Sequence, residues 1–149
     1  MNDYKKFLNE IDLTENQVQI LVNLDNVIEV KHPNYHKENS DIHGVGVFAS
    51  KDIKKGETIG EVTINKGYRT VLGRWVNHCK NKNTRFYHTN NGLTAIAEKN
   101  IPCNEEILID YRDHSKNIPF KKILHELKSC ELNPNHNPKP INLKTKTNY

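Results

Sequence analysis

Short apolar runs separated by turn-forming residues constrain this chain more than any other feature of its sequence. The runs have the length of β-strands rather than of helices, and several are rich in Val and Ile. Asn91-Gly92 lies between two of them, and this pair is typical of a tight hairpin turn. The pattern predicts a mostly β fold. The predicted strands cover residues 27–30, 44–50, 58–64, 85–88, 93–97 and 107–109.

Two segments have the periodicity of helices instead. Thr14 and Gln17 form a capping-box pair, and apolar residues recur behind them at helical spacing. Pro119 suits the first turn of a second helix, which we expect to end near Cys130. The expected organisation is an N-terminal helical extension (1–26), a β domain (27–115), and a C-terminal helix with a basic tail (116–149).

Composition excludes several classes of protein. At 149 residues the chain has room for one compact domain, and it contains no apolar run that could span a membrane. The first residues lack the apolar stretch of a signal peptide, so we expect a location in the cytoplasm or inside a host cell, the nucleus included, and not secretion. The 3 cysteines include no CxxC pair and the 8 histidines lack zinc spacing, so no metal site is predicted.

Charge is unevenly distributed, and the C-terminal part is basic. The formal net charge is +4, and the lysines after residue 115 account for it while the preceding part is nearly neutral. A basic tail can attract nucleic acid or an acidic protein. Because arginines are few and no aromatic residues are interleaved with the lysines, nucleic-acid binding is not expected.

A glycine-alternating segment, Gly44-Val45-Gly46, opens one predicted strand. The dinucleotide-binding fingerprint needs a third glycine, and Ala49 stands at that position. Two interpretations stay open at this point. The glycines either allow a bend in a sheet or let a ligand lie against the backbone.

Two further segments carry polar groups suited to a site. Asn77 and His78 offer donors and acceptors, whereas the neighbouring Cys79 has no evident orienting group and is not predicted to be a nucleophile. Tyr111 follows the buried-strand pattern of residues 107–109. It is either an ordinary exposed tyrosine or a phenol that orients a substrate amine.

Together these segments resemble the SET-domain protein lysine methyltransferases. The matching stretches, in order along the chain, are HGVGVFA (43–49), IKKGETIGE (53–61), RWVNHCKNKN (74–83) and IPCNEEILIDY (101–111). The resemblance implies the SET fold, a set of small curved β-sheets with a C-terminal pseudoknot that brings Asn77 and His78 beside Tyr111. It also implies S-adenosylmethionine as cofactor and transfer of a methyl group to the ε-amine of a lysine.

The resemblance assigns roles residue by residue. Tyr111 is the expected catalytic residue, and it also lies at the cofactor. Arg74 and Glu106 are expected to position other groups. The residues expected to bind the cofactor are His43, Gly44, Val45 and Gly46 through their backbone, with Asn77, His78 and Tyr111 from the other side.

The chain departs from the family pattern at several points. Cys79-Lys80 replaces the usual Ser-Cys, and Lys82, Asn104 and Arg112 stand where proline, glycine and glycine are usual. The insert that forms one wall of the substrate groove in larger members is short, so this is a minimal SET domain. We expect the helix after Pro119 to replace that wall. The candidates for the lysine channel are Phe120 and Tyr149 from this C-terminal part, with Phe120 alternatively an ordinary core contact, and Tyr68 as a second tyrosine.

The implied partner is a protein that presents a lysine, a histone or another basic protein being the natural candidate. A second copy of the chain is a further candidate, since it would complete a shortened groove. The alternative is a catalytically silent SET-fold module that only binds other proteins. The sequence does not identify the target lysine or the number of methyl groups added.

Overall fold

The computed structural model describes residues 2–24, 26–64, 68–90, 92–116 and 118–127. Strands hold more of these residues than helices do, as the sequence pattern predicts. The helices are α1 (Asp3–Glu10), α2 (Glu15–Val22), α3 (Val71–Trp75), α4 (Arg112–Ser115) and α5 (Phe120–Glu126). The strands are β1 (Asn26–Ile28), β2 (Tyr35–Asn39), β3 (Val45–Ala49), β4 (Thr58–Ile64), β5 (Tyr68–Thr70), β6 (Asn77–His78), β7 (Thr84–Thr89), β8 (Gly92–Ala97) and β9 (Glu106–Ile109).

The first sheet has five strands in the order β1-β5-β4-β8-β7. Strands β7 and β8 form the predicted hairpin, with register running from Thr84 opposite Ala97 to Thr89 opposite Gly92. Strand β1 is parallel to β5, while the other pairs are antiparallel. The sheet is therefore mixed, and the prediction of small β-sheets with terminal helices is confirmed.

The second sheet has four strands in the order β2-β3-β9-β6. Strand β6 is parallel to β9, with Asn77 opposite Leu108 and His78 opposite Ile109. Because Tyr111 lies two residues after the end of β9, this pairing places it next to His78. The short parallel pair is thus the element that assembles the candidate site.

The hydrophobic core joins both sheets and α3. Burial of apolar surface is the main driving force for this arrangement. Leu72 on α3 is fully buried, and Gly73 beside it lies so close to β4 that a Cβ would come 2.3 Å from the Val62 carbonyl oxygen. Other fully buried apolar side chains include Val47, Ile59, Ile101 and Ile107.

One expectation about the loops is wrong. The polar stretch between Pro33 and Gly44 reads as a loop, but Tyr35–Asn39 forms strand β2, paired residue for residue with β3. Only Tyr35 of this strand is buried. The remaining residues of β2 pair with β3 through their backbone at the edge of the second sheet. Because their side chains are not buried, the sequence shows no hydrophobic strand pattern there. Residues 68–78 likewise form short elements rather than irregular connections.

The helices differ from the sequence expectation in number and length. The capping box of Thr14 and Gln17 is present at the start of α2, as predicted. Helix α1, capped by Asn2, precedes it and is not expected from the sequence. Helix α5 ends at Glu126 rather than near Cys130, which lies outside the described residues, and Pro119 is its N-cap.

Within the described part of the chain, none of the helices has the length and apolar character needed to cross a membrane. The division at residues 26 and 115 and the threading of a pseudoknot stay predictions.

Candidate functional site

The residues singled out in two separate segments meet at the end of β9. The Tyr111 backbone N–H donates to His78 Nδ1 at 2.9 Å, and the two rings lie 5.0 Å apart between centroids. Both Asn77 and His78 are buried. The structure therefore brings together Asn77, His78 and Tyr111, as the resemblance implies.

The Asn77 side chain ties the glycine segment to the sheet. Its Nδ2 donates to the carbonyl oxygen of His43 at 2.9 Å, that of Val45 at 3.3 Å, and Glu106 Oε2 at 2.9 Å. An amide nitrogen has only two hydrogens, so at least one is shared between acceptors. In this arrangement the side chain positions residues 43–45, and its expected contact with a cofactor stays a prediction.

Glu106 occupies the space behind the glycine segment. Its carboxylate accepts from Ser40 Oγ at 2.7 and 2.9 Å as well as from Asn77. A Cβ at Gly46 would lie 2.3 Å from Glu106 Oε2, so residue 46 must be glycine to admit this carboxylate. Glu106 has the positioning geometry expected for it. Ser40 helps to hold the Glu106 carboxylate in place, and no sequence motif indicated this role.

The open side of the segment lies at Gly44 and Val45. Gly44 has a φ of +46°, and a Cβ there would meet no atom within 4 Å. Val45 is 37% exposed, although it is apolar. A ligand can therefore lie against the backbone at Gly44, whereas at Gly46 that space belongs to the protein's own carboxylate. The open space at Gly44 fits the expected cofactor contact at residues 43–45, and the expected backbone contact at Gly46 stays a prediction.

The Tyr111 phenol is held as a hydrogen-bond donor to the main chain. Its hydroxyl donates to the Val76 carbonyl oxygen at 2.7 Å. Burial raises the pKa of Tyr111 above its ordinary value, so the phenol stays protonated at neutral pH. Its oxygen can still accept a hydrogen bond from an amine, but the group cannot act as a base there.

The His78 ring uses both of its nitrogens within the protein. Because Nδ1 accepts from Tyr111, a neutral ring carries its proton on Nε2, which then donates to Asp3 Oδ2 at 2.7 Å. Asp3 is the first residue of α1. Sequence reasoning missed this contact because Asp3 and His78 lie 75 positions apart.

Two aromatic side chains of α1 cover the same place. The Tyr4 ring lies 6.0 Å from His43, 6.3 Å from His78 and 6.1 Å from Tyr111 between centroids. Phe7 stacks on His78 at 5.6 Å and meets Tyr111 edge-on at 5.8 Å. The spacing of Tyr4 and Phe7 is helical and could have indicated α1 itself, but not what it packs against.

Arg112 anchors α1 by ion pairs. Its Nη1 and Nη2 donate to the two oxygens of Asp3 at 2.8 and 3.1 Å, and its Nε donates to Glu10 Oε2 at 2.7 Å. Hydrogen bonding to Arg112 lowers the pKa of Asp3 below its usual range, and the same pair raises the pKa of Arg112. Arg112 stands where the family pattern often has glycine, and in this structure its side chain pairs with Asp3 and Glu10 of α1.

Two other departures from the family pattern also have structural roles, those at Asn104 and Lys82. Asn104 has a φ of 71°, the left-handed conformation that a glycine would adopt at no cost and that asparagine tolerates. Lys82 joins Glu98 to Asp113 of α4, with its Nζ 2.9 Å from Glu98 Oε1 and 2.5 Å from Asp113 Oδ2. These substitutions therefore preserve or reinforce the fold around the site.

The remaining predicted residues lie elsewhere. Tyr68 pairs with Asn26 in the first sheet, and Phe120 opens α5, which packs against α2. No residue of α5 is buried, so Phe120 is not an ordinary core side chain. Tyr149 lies outside the described residues. Arg74 is half-buried, and its Nη2 donates to Asn23 Oδ1 at 3.3 Å, which suits a positioning role.

One family model matches the chain, that of the SET domain, over residues 61–112. The matched stretch contains Asn77, His78 and Tyr111, and it excludes the glycine segment and all of α1. The predicted resemblance is confirmed for this stretch. No curated protein matches the chain in sequence.

Several solved structures are similar in fold. A histone methyltransferase candidate of Plasmodium falciparum has 24% identity and a TM-score of 0.44, covering 54% of this chain and 95% of that one. Polycomb Repressive Complex 2 of Chaetomium thermophilum, bound to GSK126, has 20% identity and a TM-score of 0.45, covering 62% of this chain and 17% of that one. The methyltransferase domain of human PR domain-containing protein 2 has 18% identity and a TM-score of 0.43, covering 52% and 76%. At these scores the similarities decide nothing about the chemistry of the site.

Proposed function

We propose that this chain, whose residues 61–112 belong to the SET-domain family, transfers a methyl group from S-adenosylmethionine to the ε-amine of a lysine in a protein substrate. One observation carries the proposal. The parallel pairing of β6 with β9 brings Asn77 and His78 against Tyr111, and the family match includes all three residues.

The backbone at His43, Gly44 and Val45 supplies the surface on which the methyl donor would bind, with the His78 ring on the far side. Support comes from the open space at Gly44 and the exposed apolar face of Val45. When bound there, S-adenosylmethionine supplies an electrophilic methyl group that needs no metal. Asn77 holds the shape of this surface, since its amide bonds to the carbonyl groups of His43 and Val45.

Tyr111 would orient the lysine amine. A free lysine is protonated at neutral pH, with a pKa of about 10.4, and its amine must lose a proton before it can attack. Burial of the amine among apolar groups favours the neutral form. Because the phenol already donates its proton to Val76, its oxygen is free to accept an N–H of the amine. Alignment of the amine would then supply much of the acceleration.

The substrate, cellular location and assembly state belong to the same proposal. A histone or another basic protein is the first substrate class to try, because such proteins present many lysines. We place the activity inside the cell, in the cytoplasm or nucleus, as the sequence suggests. A second copy of the chain that completes the lysine groove stays part of the proposal.

The decisive experiment compares wild-type protein with Tyr111→Phe. Transfer of labelled methyl groups to a histone mixture is expected to fall by about 100-fold or more, since the variant cannot orient the amine through the phenol oxygen. Binding of S-adenosylmethionine, measured by calorimetry, should change by less than about 3-fold because the loss concerns the chemical step.

The matched control is Tyr87→Phe, which removes the hydroxyl of an exposed tyrosine on β7. It should retain full transfer. Equal transfer by the Tyr111→Phe variant would remove the catalytic role of this residue. Asn77→Ala is a poor substitute, because it removes several hydrogen bonds at once and leaves Glu106 without one of its donors.

A silent binding module is the second candidate. The observation that favours it is the internal bonding of the site. Both ring nitrogens of His78 and the amide nitrogen of Asn77 form hydrogen bonds within the protein. This candidate predicts a folded wild-type protein that binds no S-adenosylmethionine at millimolar concentration. It also predicts capture of a protein partner that is unchanged in the Tyr111→Phe variant.

A further inference from the structure

Helix α1 lies beside the surface that the proposed function needs for the methyl donor and covers its His78 side, while Gly44 and Val45 stay exposed. The Tyr4 ring lies within 6.3 Å, between ring centroids, of His43, His78 and Tyr111, so it packs against all three. Phe7 stacks on His78. A molecule that enters between these rings has to displace Tyr4, because the same volume cannot hold both.

We propose that α1 is an autoinhibitory cap, which covers the His78 side of the donor surface with Asp3, Tyr4 and Phe7 and must swing away before S-adenosylmethionine binds. The inference rests on the proposed function, since it concerns access to that same site. It adds a regulated step that the SET-domain match does not contain, because α1 lies outside residues 61–112.

The closed position is held by specific contacts. Asp3 accepts from His78 Nε2 and from Arg112, so one carboxylate occupies the His78 nitrogen that Tyr111 does not use. Glu10, at the other end of the helix, pairs with Arg112 as well. A single arginine directly after the catalytic tyrosine therefore clamps both ends of α1.

The ion pairs that hold α1 in place can be broken, because their side chains are partly exposed. The three clamp residues are partly exposed, with side-chain exposures of 24% for Asp3, 29% for Arg112 and 54% for Glu10. Ion pairs at such exposure are weak and are screened by salt. An eight-residue helix has little stability of its own, so its position depends on its tertiary contacts.

A turn at residues 11–14 provides a place for the movement. Asp12 has a φ of 56°, which an aspartate adopts in turns, and it breaks the chain direction between α1 and α2. Helix α2 keeps its own capping box on Thr14 and Gln17, so it does not depend on α1 for its start. Rotation about this turn moves α1 while α2 remains in place.

The test uses the full chain and two variants that loosen α1 without changing a residue of the donor surface. Asp3→Asn with Glu10→Gln removes the charges that Arg112 clamps, while an asparagine oxygen still accepts from His78. Tyr4→Ala with Phe7→Ala removes the two covering rings. The matched control is Glu57→Gln with Glu126→Gln, which neutralises two exposed carboxylates away from the clamp and the turn.

Calorimetry with S-adenosylmethionine gives the first readout. A closed cap reduces apparent affinity by the fraction of molecules that are open, so a loosened cap raises it. We expect Asp3→Asn/Glu10→Gln to bind about 5-fold more tightly than wild type, and Tyr4→Ala/Phe7→Ala at least as tightly as that. The control should match wild type within about 2-fold.

Hydrogen exchange of residues 3–10 gives a second readout that does not involve activity. Addition of S-adenosylhomocysteine to wild-type protein is expected to speed exchange across α1, since the bound form holds the helix open. Slower exchange together with weaker binding of Tyr4→Ala/Phe7→Ala would show that α1 is a wall of the donor pocket, and would overturn the cap.

The two levels of the proposal fail differently. If the Asp3→Asn/Glu10→Gln variant binds S-adenosylmethionine only as tightly as wild type does, the cap is refuted and the methyltransferase assignment remains intact. Absence of binding in all folded versions removes the methyltransferase assignment and the cap with it. If the alanine double variant does not fold, the Asp3→Asn/Glu10→Gln variant decides between these outcomes.

Discussion

Helices α1 and α5 flank the β-sheets from opposite ends of the chain, and they differ in what they contact. Helix α5 has the better helical pattern of apolar residues, yet none of its residues is buried and its main neighbour is α2. Helix α1 has the more polar sequence, but Phe7 and Leu8 are buried and Asp3 reaches the His78 ring.

The contrast shows that the position of a helix can depend on a few specific side chains rather than on the amount of apolar sequence. The sequence predicts that α5 replaces the missing wall of the site. The replacement of that wall by α5 stays a prediction. The structure places α1 over the His78 side of the site, because the Asp3 carboxylate pairs with a buried imidazole and an arginine together. The assignment of Phe120 to the lysine channel stays a prediction.

The substitution Phe7→Ala is expected to have the largest effect on stability, and it tests the contrast between α1 and α5. Phe7 is buried against His78 and Tyr111, so the variant should lose about 2 kcal/mol of free energy of unfolding, measured by urea denaturation. Residues 3–10 should also exchange faster. A loss below about 0.5 kcal/mol would mean that α1 is not held by this ring.

An intermediate effect is expected from acid. The pKa of Asp3 is lowered by its hydrogen bond to Arg112. Its contribution to the docking of α1 is therefore fully present above its unfolded pKa of about 3.9, and it is lost progressively as pH falls from there through the lowered pKa of the folded protein. The groups that face it are His78, Arg112 and, through Arg112, Glu10 and Asp110.

The measurement is a pH titration of the Phe7 and Tyr111 ring resonances, with α5 resonances as the internal reference. The α1 contacts should weaken below about pH 4 in the wild type. The Asp3→Asn variant lacks the titrating group and should give a flatter profile over that range. An identical profile in both proteins would assign the acid sensitivity to another group.

The smallest effect is expected from Phe120→Ala. Phe120 is only partly buried on a helix without buried residues, so the variant should lose less than about 1 kcal/mol of free energy of unfolding. Donor binding should be unchanged. A loss as large as that of Phe7→Ala would reverse the contrast between the two helices, and a change in lysine methylation alone would favour the predicted channel role.

Local signals determined much of the fold. The capping box of α2 and the β7–β8 hairpin are interactions between residues close in sequence, so their patterns can be read directly. The Asn-His and Tyr motifs predicted which residues meet at the end of β9, and the family match over residues 61–112 confirms the resemblance that they carry. Strand β2 escaped detection because its stabilisation comes from backbone pairing with β3 and not from its own side chains.

Only the tertiary structure showed that α1 covers part of the site. Asp3 meets His78 across 75 positions and Arg112 across 109, and no local pattern encodes which charged groups will pair over such distances. The sequence by itself determined which residues can form the site, through motif spacing and strand periodicity. The three-dimensional packing decided that α1 covers the His78 side of the site, because ion pairs and ring contacts depend on where the chain returns in space.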